Sequence, residues 1–376
     1  MKAPGFSSAV SAYAACLRRL GQDQALPVAN WALMSARATG DRWAEGRALG
    51  LKAYLAKDLG DLDEAQRLRE AALSLATANG DRDGETIGYN HLGLIAAERG
   101  RDLEAKGFYE HSLSLSQQTG DQFYISLAQN NLANLALKRG DLSTAKDLYR
   151  TNLDLQRGLG NRWGEALACN NLGVTALMAR DLSAAEGLFD KALAIRESVG
   201  DKVGQITCLR NLGILALMKG QPSVSREFHD RALELARNTG LRTIEAECQF
   251  YVAELVRLQQ RFVQARAGYQ RVLDLLPEGV TPEVRGNALA AFAECLIRMP
   301  RFDSKEFEKR LALLRPADSD SPYVHRARAW YAFLSGHQAA ALAELGQALD
   351  DPRRQAPELR AELEQTRTRF QAVTTR

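Results

Sequence analysis

Residues 121–160 read DQFYISLAQNNLANLALKRG and then DLSTAKDLYRTNLDLQRGLG. Each half opens on aspartate and closes on glycine. The next forty residues copy the arrangement: NRWGEALACNNLGVTALMAR, then DLSAAEGLFDKALAIRESVG. Gly40, Gly80, Gly120, Gly160, Gly200 and Gly240 share one phase of that period. Gly60, Gly100, Gly140 and Gly220 fall halfway between, with Arg180 and Gln260 standing where the series expects glycine. A chain with such a period is an array, and the repeat overrides any domain count based on length.

The Gly-Asp junction has a mechanism. Glycine takes the left-handed conformation that closes a helix, and the aspartate after it accepts hydrogen bonds from the free N–H groups of the next one. Asp61-Leu62-Asp63-Glu64 has the shape of a capping box. Each half-repeat is therefore expected to be a helix of about 16–18 residues, roughly 25 Å long. Apolar residues agree: Ala128, Leu132, Leu135 and Ala136 make one stripe, and Leu142, Ala145, Leu148, Tyr149 and Leu153 another. Junctions this short join antiparallel neighbours. Small residues recur where the helices must approach: Gly93, Ala133, Gly173 and Gly213, and Ala65, Ala105, Ala145, Ala185 and Ala265. One such hairpin cannot bury its stripe alone, so the repeats must stack.

The segment NNLANLALKRGDLSTAKDLYRTNL resembles the tetratricopeptide repeat, with an Asn-Leu-Gly/Ala first helix, Gly-Asp, and Ala-x-x-x-Tyr in the second helix. The forty-residue length is similar to the long variety of kinesin light chains, spindle-orientation adaptors, Rap-type quorum-sensing regulators and the sensor regions of large bacterial transcription activators. The match is strong over 41–240 and fades on either side. The resemblance implies an all-α, right-handed superhelical solenoid of antiparallel helix pairs. It implies a binding scaffold and leaves the ligand open.

The expected organisation runs from a degenerate helix pair over 1–40, through the forty-residue array over 41–278 and divergent helix pairs over 279–350, to a terminal capping helix over 351–376. Ser7–Leu20 and Gln24–Thr39 make the first pair, with Pro27 in the first turn of the second. Past Leu276 the punctuation changes from Gly-Asp to proline, at Pro282, Pro316, Pro322, Pro352 and Pro357. An opening so close to a repeat suggests the trailing part of a longer protein.

Composition narrows the function classes. The chain is 45% hydrophobic and 25% charged, as ordinary soluble proteins are. A formal charge of +3 is too small for a nucleic-acid footprint. No apolar run reaches membrane-spanning length. Five cysteines stand singly, with no CxxC, and read as small core residues in a reduced, cytoplasmic compartment. There is no phosphate-binding glycine loop and no HExxH. The histidines at 91, 111, 229, 325 and 337 form no ligand pair at helical spacing. His229 beside Asp230 and His111 beside Glu110 point about 100° apart on a helix and read as solvated surface. No catalytic residue, metal or cofactor is therefore expected, and an all-helical hydrolase is the weakest of the functional readings.

Two features remain. Trp43 and Trp163 share a repeat position, where an aromatic ligand contact competes with packing on the preceding helix. The second is an asparagine series: Asn90, Asn130 and Asn170, followed by Arg210, beside His91, Asn131, Asn171 and Asn211. On a helical wheel Asn130 and Asn134 point away from the Leu132/Ala136 stripe, onto the concave wall of a stacked solenoid. Asn131 points sideways, toward the next repeat, where bracing a neighbouring helix competes with binding. Ile87, Leu94, Leu127, Leu167, Val174 and Ile214 interleave with the amides. The family resemblance implies that asparagines at these positions hold a ligand's backbone. Gly50 and Phe250 break the pattern, so it covers the centre of the array only. Two functions follow: an adaptor that binds a peptide or protein segment in its groove, or the ligand-sensing region of a bacterial transcription regulator whose DNA-binding domain lies elsewhere.

Overall fold

The computed structural model describes residues 22–276, 282–299, 304–313, 322–334, 337–350 and 357–373. Its elements are all helices. In chain order they are α1 (Gln22–Thr39), α2 (Arg42–Asp58), α3 (Leu62–Ala78), α4 (Arg82–Glu98), α5 (Asp102–Thr119), α6 (Gln122–Lys138), α7 (Leu142–Gly158), α8 (Arg162–Met178) and α9 (Leu182–Ser198). They continue with α10 (Lys202–Met218), α11 (Pro222–Thr239), α12 (Arg242–Leu258), α13 (Phe262–Leu275), α14 (Pro282–Arg298), α15 (Ser304–Ala312), α16 (Pro322–Leu334), α17 (Gln338–Asp350) and α18 (Pro357–Val373). The expected helix over Ser7–Leu20 lies outside the described residues. Because α1 starts at Gln22, Pro27 falls inside the helix and not in its first turn.

Every helix-closing glycine named above has positive φ, from 64° at Gly80 to 82° at Gly60. The Gly140–Asp141 junction shows how one residue pair serves two helices. Gly140 N–H donates to Leu137 O at 3.0 Å, and Asp141 N–H donates to Ala136 O at 2.9 Å. The Asp141 carboxylate then accepts from Thr144 N–H at 3.1 Å and opens α7. Arg180 and Gln260 do not break the rule: their φ values are 62° and 60°. Arg180 N–H and Asp181 N–H make the same two bonds, to Leu177 O and Ala176 O. The backbone keeps the left-handed turn even where the side chain strains it.

The chain forms two compact units, Met1–Gly160 and Asn161–Arg376, which part at a repeat boundary. In the first unit, the helix pairs α2/α3, α4/α5 and α6/α7 stack through α3 on α4 and α5 on α6. In the second, α8/α9, α10/α11 and α12/α13 stack through α9 on α10 and α11 on α12, followed by α14 to α18.

The packing is periodic because the sequence is. Ala65, Ala105, Ala145, Ala185 and Ala265 are all fully buried, and Ser225 occupies the same position in α11. At one repeat phase the second helices of each unit bury an aromatic residue: Tyr109 and Tyr149 in the first, Phe189 and Tyr269 in the second. These rings require the small residues opposite: a Cβ added at Gly93 would lie 2.5 Å from the Tyr109 ring, and one at Gly173 2.6 Å from Phe189. His229 stands at the same phase. It is 1% exposed and its Nε2 lies where a Gly213 Cβ would meet it at 2.5 Å. The surface reading of His229 is thus corrected: its position in the repeat, not its neighbour Asp230, determines where it points.

Cys169, Cys208, Cys248 and Cys295 are free and buried, as core residues should be. The C-terminal helix α18 buries Leu363 and Phe370, and the Phe370 ring stacks on Phe333 at 4.0 Å. Among the described residues no helix is long and apolar enough to cross a membrane, and no group of side chains could hold a metal ion.

Candidate functional site

Successive first helices touch at one recurring rung, formed by residues forty-one apart. In the first unit Asn131 Nδ2 donates to Asn90 Oδ1 at 2.7 Å. In the second unit Asn211 Nδ2 donates to Asn170 Oδ1 at 2.8 Å. The rung after that joins Arg210 to Tyr251: the guanidinium lies 5.0 Å above the phenol ring and reaches its hydroxyl at 3.5 Å. Arg210 also pairs with Glu247 at 2.6 Å.

The gap at Gly50 is filled from another helix. Buried Arg69 of α3 donates to Gly50 O at 2.5 Å and to His91 Nδ1 at 2.8 Å. A side chain at residue 50 would collide with this guanidinium. Burial draws the Arg69 pKa down to about 10. The pattern that stops at Gly50 in the sequence therefore continues in space, with Arg69 standing in for the missing amide.

These contacts revise where the asparagines point. Asn90 is 1% exposed and Asn170 8% exposed. Both lie between neighbouring first helices and not on an open wall. A wheel drawn for one helix has no neighbour in it, so it cannot show which flank the next repeat covers. Asn131 reaches back to the preceding repeat, opposite to the direction read from the wheel. Asn130 and Asn171 are half-buried, and Asn134 is exposed. Asn134 accepts a hydrogen bond from the Tyr149 hydroxyl, and the same link recurs three repeats on, from Tyr269 to Glu254. Glu254 also pairs with Arg257 at 3.0 Å and accepts from Tyr323 at 3.1 Å, a buried polar cluster that the sequence did not single out.

The aliphatic partners of the series reach solvent. Ile87, Leu94, Leu127 and Leu137 are half-buried in the first unit, as are Leu167, Val174, Met178, Ile214 and Met218 in the second. In the second unit this face holds a cavity of about 270 Å³ between α8 and α10. Trp163 forms one side and remains 54% exposed. Its ring lies 4.8 Å from the Arg196 guanidinium. Arg196 itself pairs with Asp201. Burial pushes the Asp201 carboxyl up, but the Gly204 N–H at 2.9 Å, Arg196 and Trp163 together hold it below its ordinary value. Trp163 thus rests on the second helix of its own repeat and keeps an open face. The site is not legible in the sequence because Arg196 and Trp163 lie on different helices. The only hint was the Trp at a phase shared with Trp43, which also carries a guanidinium, from Arg47 at 5.0 Å.

Family models of the tetratricopeptide repeat match residues 46–79, 124–198 and 166–238. Over those residues the chain carries tetratricopeptide repeats, stacked here as all-α helix pairs. Among solved structures it is similar to BtubC (BKLC) from P. vanneervenii, at 24% identity and a TM-score of 0.52, over 59% of this chain and 93% of that one. It is similar to the apo form of RapI at 12% identity and a TM-score of 0.53, over 82% and 98%. It also resembles a STAND signal-transduction ATPase with a tetratricopeptide repeat sensor from Pyrococcus horikoshii, at 16% identity and a TM-score of 0.55, over 93% and 55%. At these identities the likeness is one of fold. No curated protein matches the chain.

Proposed function

We propose that this protein is a non-enzymatic, cytoplasmic interaction module that binds an extended peptide or protein segment along the faces of its first helices. One observation carries the reading: those faces keep aliphatic side chains in partial contact with water beside amide and guanidinium groups. The second helices turn the fully buried Ala65, Ala105, Ala145 and Ala185 toward the core. A mixed surface of this kind suits a peptide, whose backbone seeks hydrogen bonds and whose side chains seek desolvated contact. On this reading Asn130, Asn134 and Asn171 are the amides that meet it. Asn90, Asn131, Asn170 and Asn211, together with Arg210, hold the first helices in register so that the face is pre-formed. Selection of a randomised dodecapeptide library against the full chain tests this. Enriched peptides should protect α6 or α8 and α10 from hydrogen exchange. Absence of any enriched peptide, or protection confined to the second helices, overturns it.

A further inference from the structure

The cavity beside Trp163 has chemistry specific enough to name its occupant. At about 270 Å³ it is smaller than pockets for drug-sized ligands, which run from roughly 300 to 1,000 Å³, and it suits a single side chain. Most of its polar lining is already satisfied from within. Asn170 Oδ1 takes the amide of Asn211 at 2.8 Å. The Thr207 hydroxyl donates to Val203 O at 3.2 Å. Arg196 and Asp201 neutralise each other. The Arg196 Nε, which has no hydrogen-bond partner, is buried against Gly204, where an added Cβ would lie 2.6 Å from it.

A charged occupant would lose its hydration and find no free counter-charge, which is costly. What the cavity does offer is unsatisfied apolar surface: Trp163 at 54% exposure, Val203 at 44%, and half-buried Leu167. The Trp163 ring is also braced by the Arg196 guanidinium, 4.8 Å away. An exposed aromatic side chain whose ordering cost is already met is the kind of group that anchors a binding hot spot.

We infer that the space bounded by Trp163, Leu167, Val203 and Thr207 is a pocket for one large uncharged apolar side chain of a bound peptide. It is the anchor of the segment proposed above, and the inference rests on that reading. The pocket discriminates by desolvation. Leucine-sized and aromatic side chains enter, whereas aspartate and lysine are rejected and alanine leaves the Trp163 face wet.

The test uses peptides enriched from the dodecapeptide library on the full chain, with affinities measured by fluorescence anisotropy. One apolar position should be common to them, and its replacement by alanine should weaken binding at least tenfold. On the protein, Trp163→Ala should produce the same loss. Thr207→Trp, at an exposed position that faces the cavity, should block binding without disturbing the fold. In the double variant of peptide and protein the two losses should not add. Circular dichroism melts of both variants separate loss of the pocket from loss of the fold. Should Trp163→Ala unfold the second unit, Thr207→Trp alone decides. Peptides that bind with unchanged affinity to Thr207→Trp, or that share a charged anchor, overturn the pocket while leaving the interaction module intact. A library that yields no binder overturns both.

Discussion

Asn211 donates its amide to Asn170 across a 2.8 Å gap between α10 and α8, forty-one residues apart in the chain. The same bond between Asn131 and Asn90 spans 2.7 Å in the first unit. The amides that look most like ligand contacts in the sequence are therefore spent on one another. Asn170→Ala leaves the Asn211 amide with one partner fewer, and should cost about 1–2 kcal/mol of stability. Urea denaturation of Asn170→Ala, Asn211→Ala and the double variant should show coupling between the two sites. Additive losses would mean that the rung contributes nothing.

Ser225 interrupts the buried alanine series. It is fully buried, and its hydroxyl has no hydrogen-bond partner. Ser225→Ala restores the residue found at the other repeats and removes a desolvated polar group. It should stabilise the protein by about 1 kcal/mol, read as a rise in melting temperature. A fall would show that the hydroxyl is bonded in solution.

His229 takes an aromatic position in the core, stacked on Tyr251 with ring centroids 5.3 Å apart and its Nδ1 without a partner. Burial, then the nearby Arg210 and Arg226 charges, lower its pKa from 6.5 to about 4. The unfolded chain therefore binds the proton more readily than the folded one. The stability this histidine withholds from the unfolded state is complete above pH 6.5 and is lost as pH falls toward 4, by up to about 3 kcal/mol. His229→Phe, which reproduces the Phe189–Gly173 contact, should flatten the stability profile in that window. An unchanged slope between pH 6.5 and 4 would place the acid sensitivity elsewhere.

Arg180 closes α8 with φ at 62°, where the other junctions mostly use glycine. Arg180→Gly should relieve about 1 kcal/mol of backbone strain. Gly160→Val, at φ 66°, should do the opposite and by more, because a β-branched residue fits that conformation poorly. Thermal melts of the pair decide it: equal melting temperatures would mean that these turns adapt freely.

Removing α18 uncovers the apolar surface that Leu363 and Phe370 bury, including the Phe333 ring and Trp330 at 4.9 Å from Phe370. Truncation before Pro357 should promote self-association while the helices around 121–240 keep their exchange protection. A monodisperse and equally stable truncation would show that this helix is dispensable.

Local information determined the repeat. Gly-Asp junctions, helical apolar spacing and small residues at set phases are short-range signals, because caps and stripes depend on residues within one or two turns. Helix limits, the left-handed closures, the buried alanines and the tetratricopeptide fold were all legible from them. Even Arg180 and Gln260 could be placed by phase. What the sequence left undecided depends on residues a whole repeat apart or on different helices. Asn90 and Asn170 turn inward because the next first helix covers their flank. His229 is buried because Gly213 makes room for it. Arg69 replaces a missing rung beneath Gly50, and Arg196, paired with Asp201, lies against the Trp163 ring. Each of these is a contact between helices, and its energy is set by which side chains share a desolvated space. Periodicity along one chain segment carries no information about that sharing. Only the packed helices decide which asparagines brace the array and which surface is left to bind.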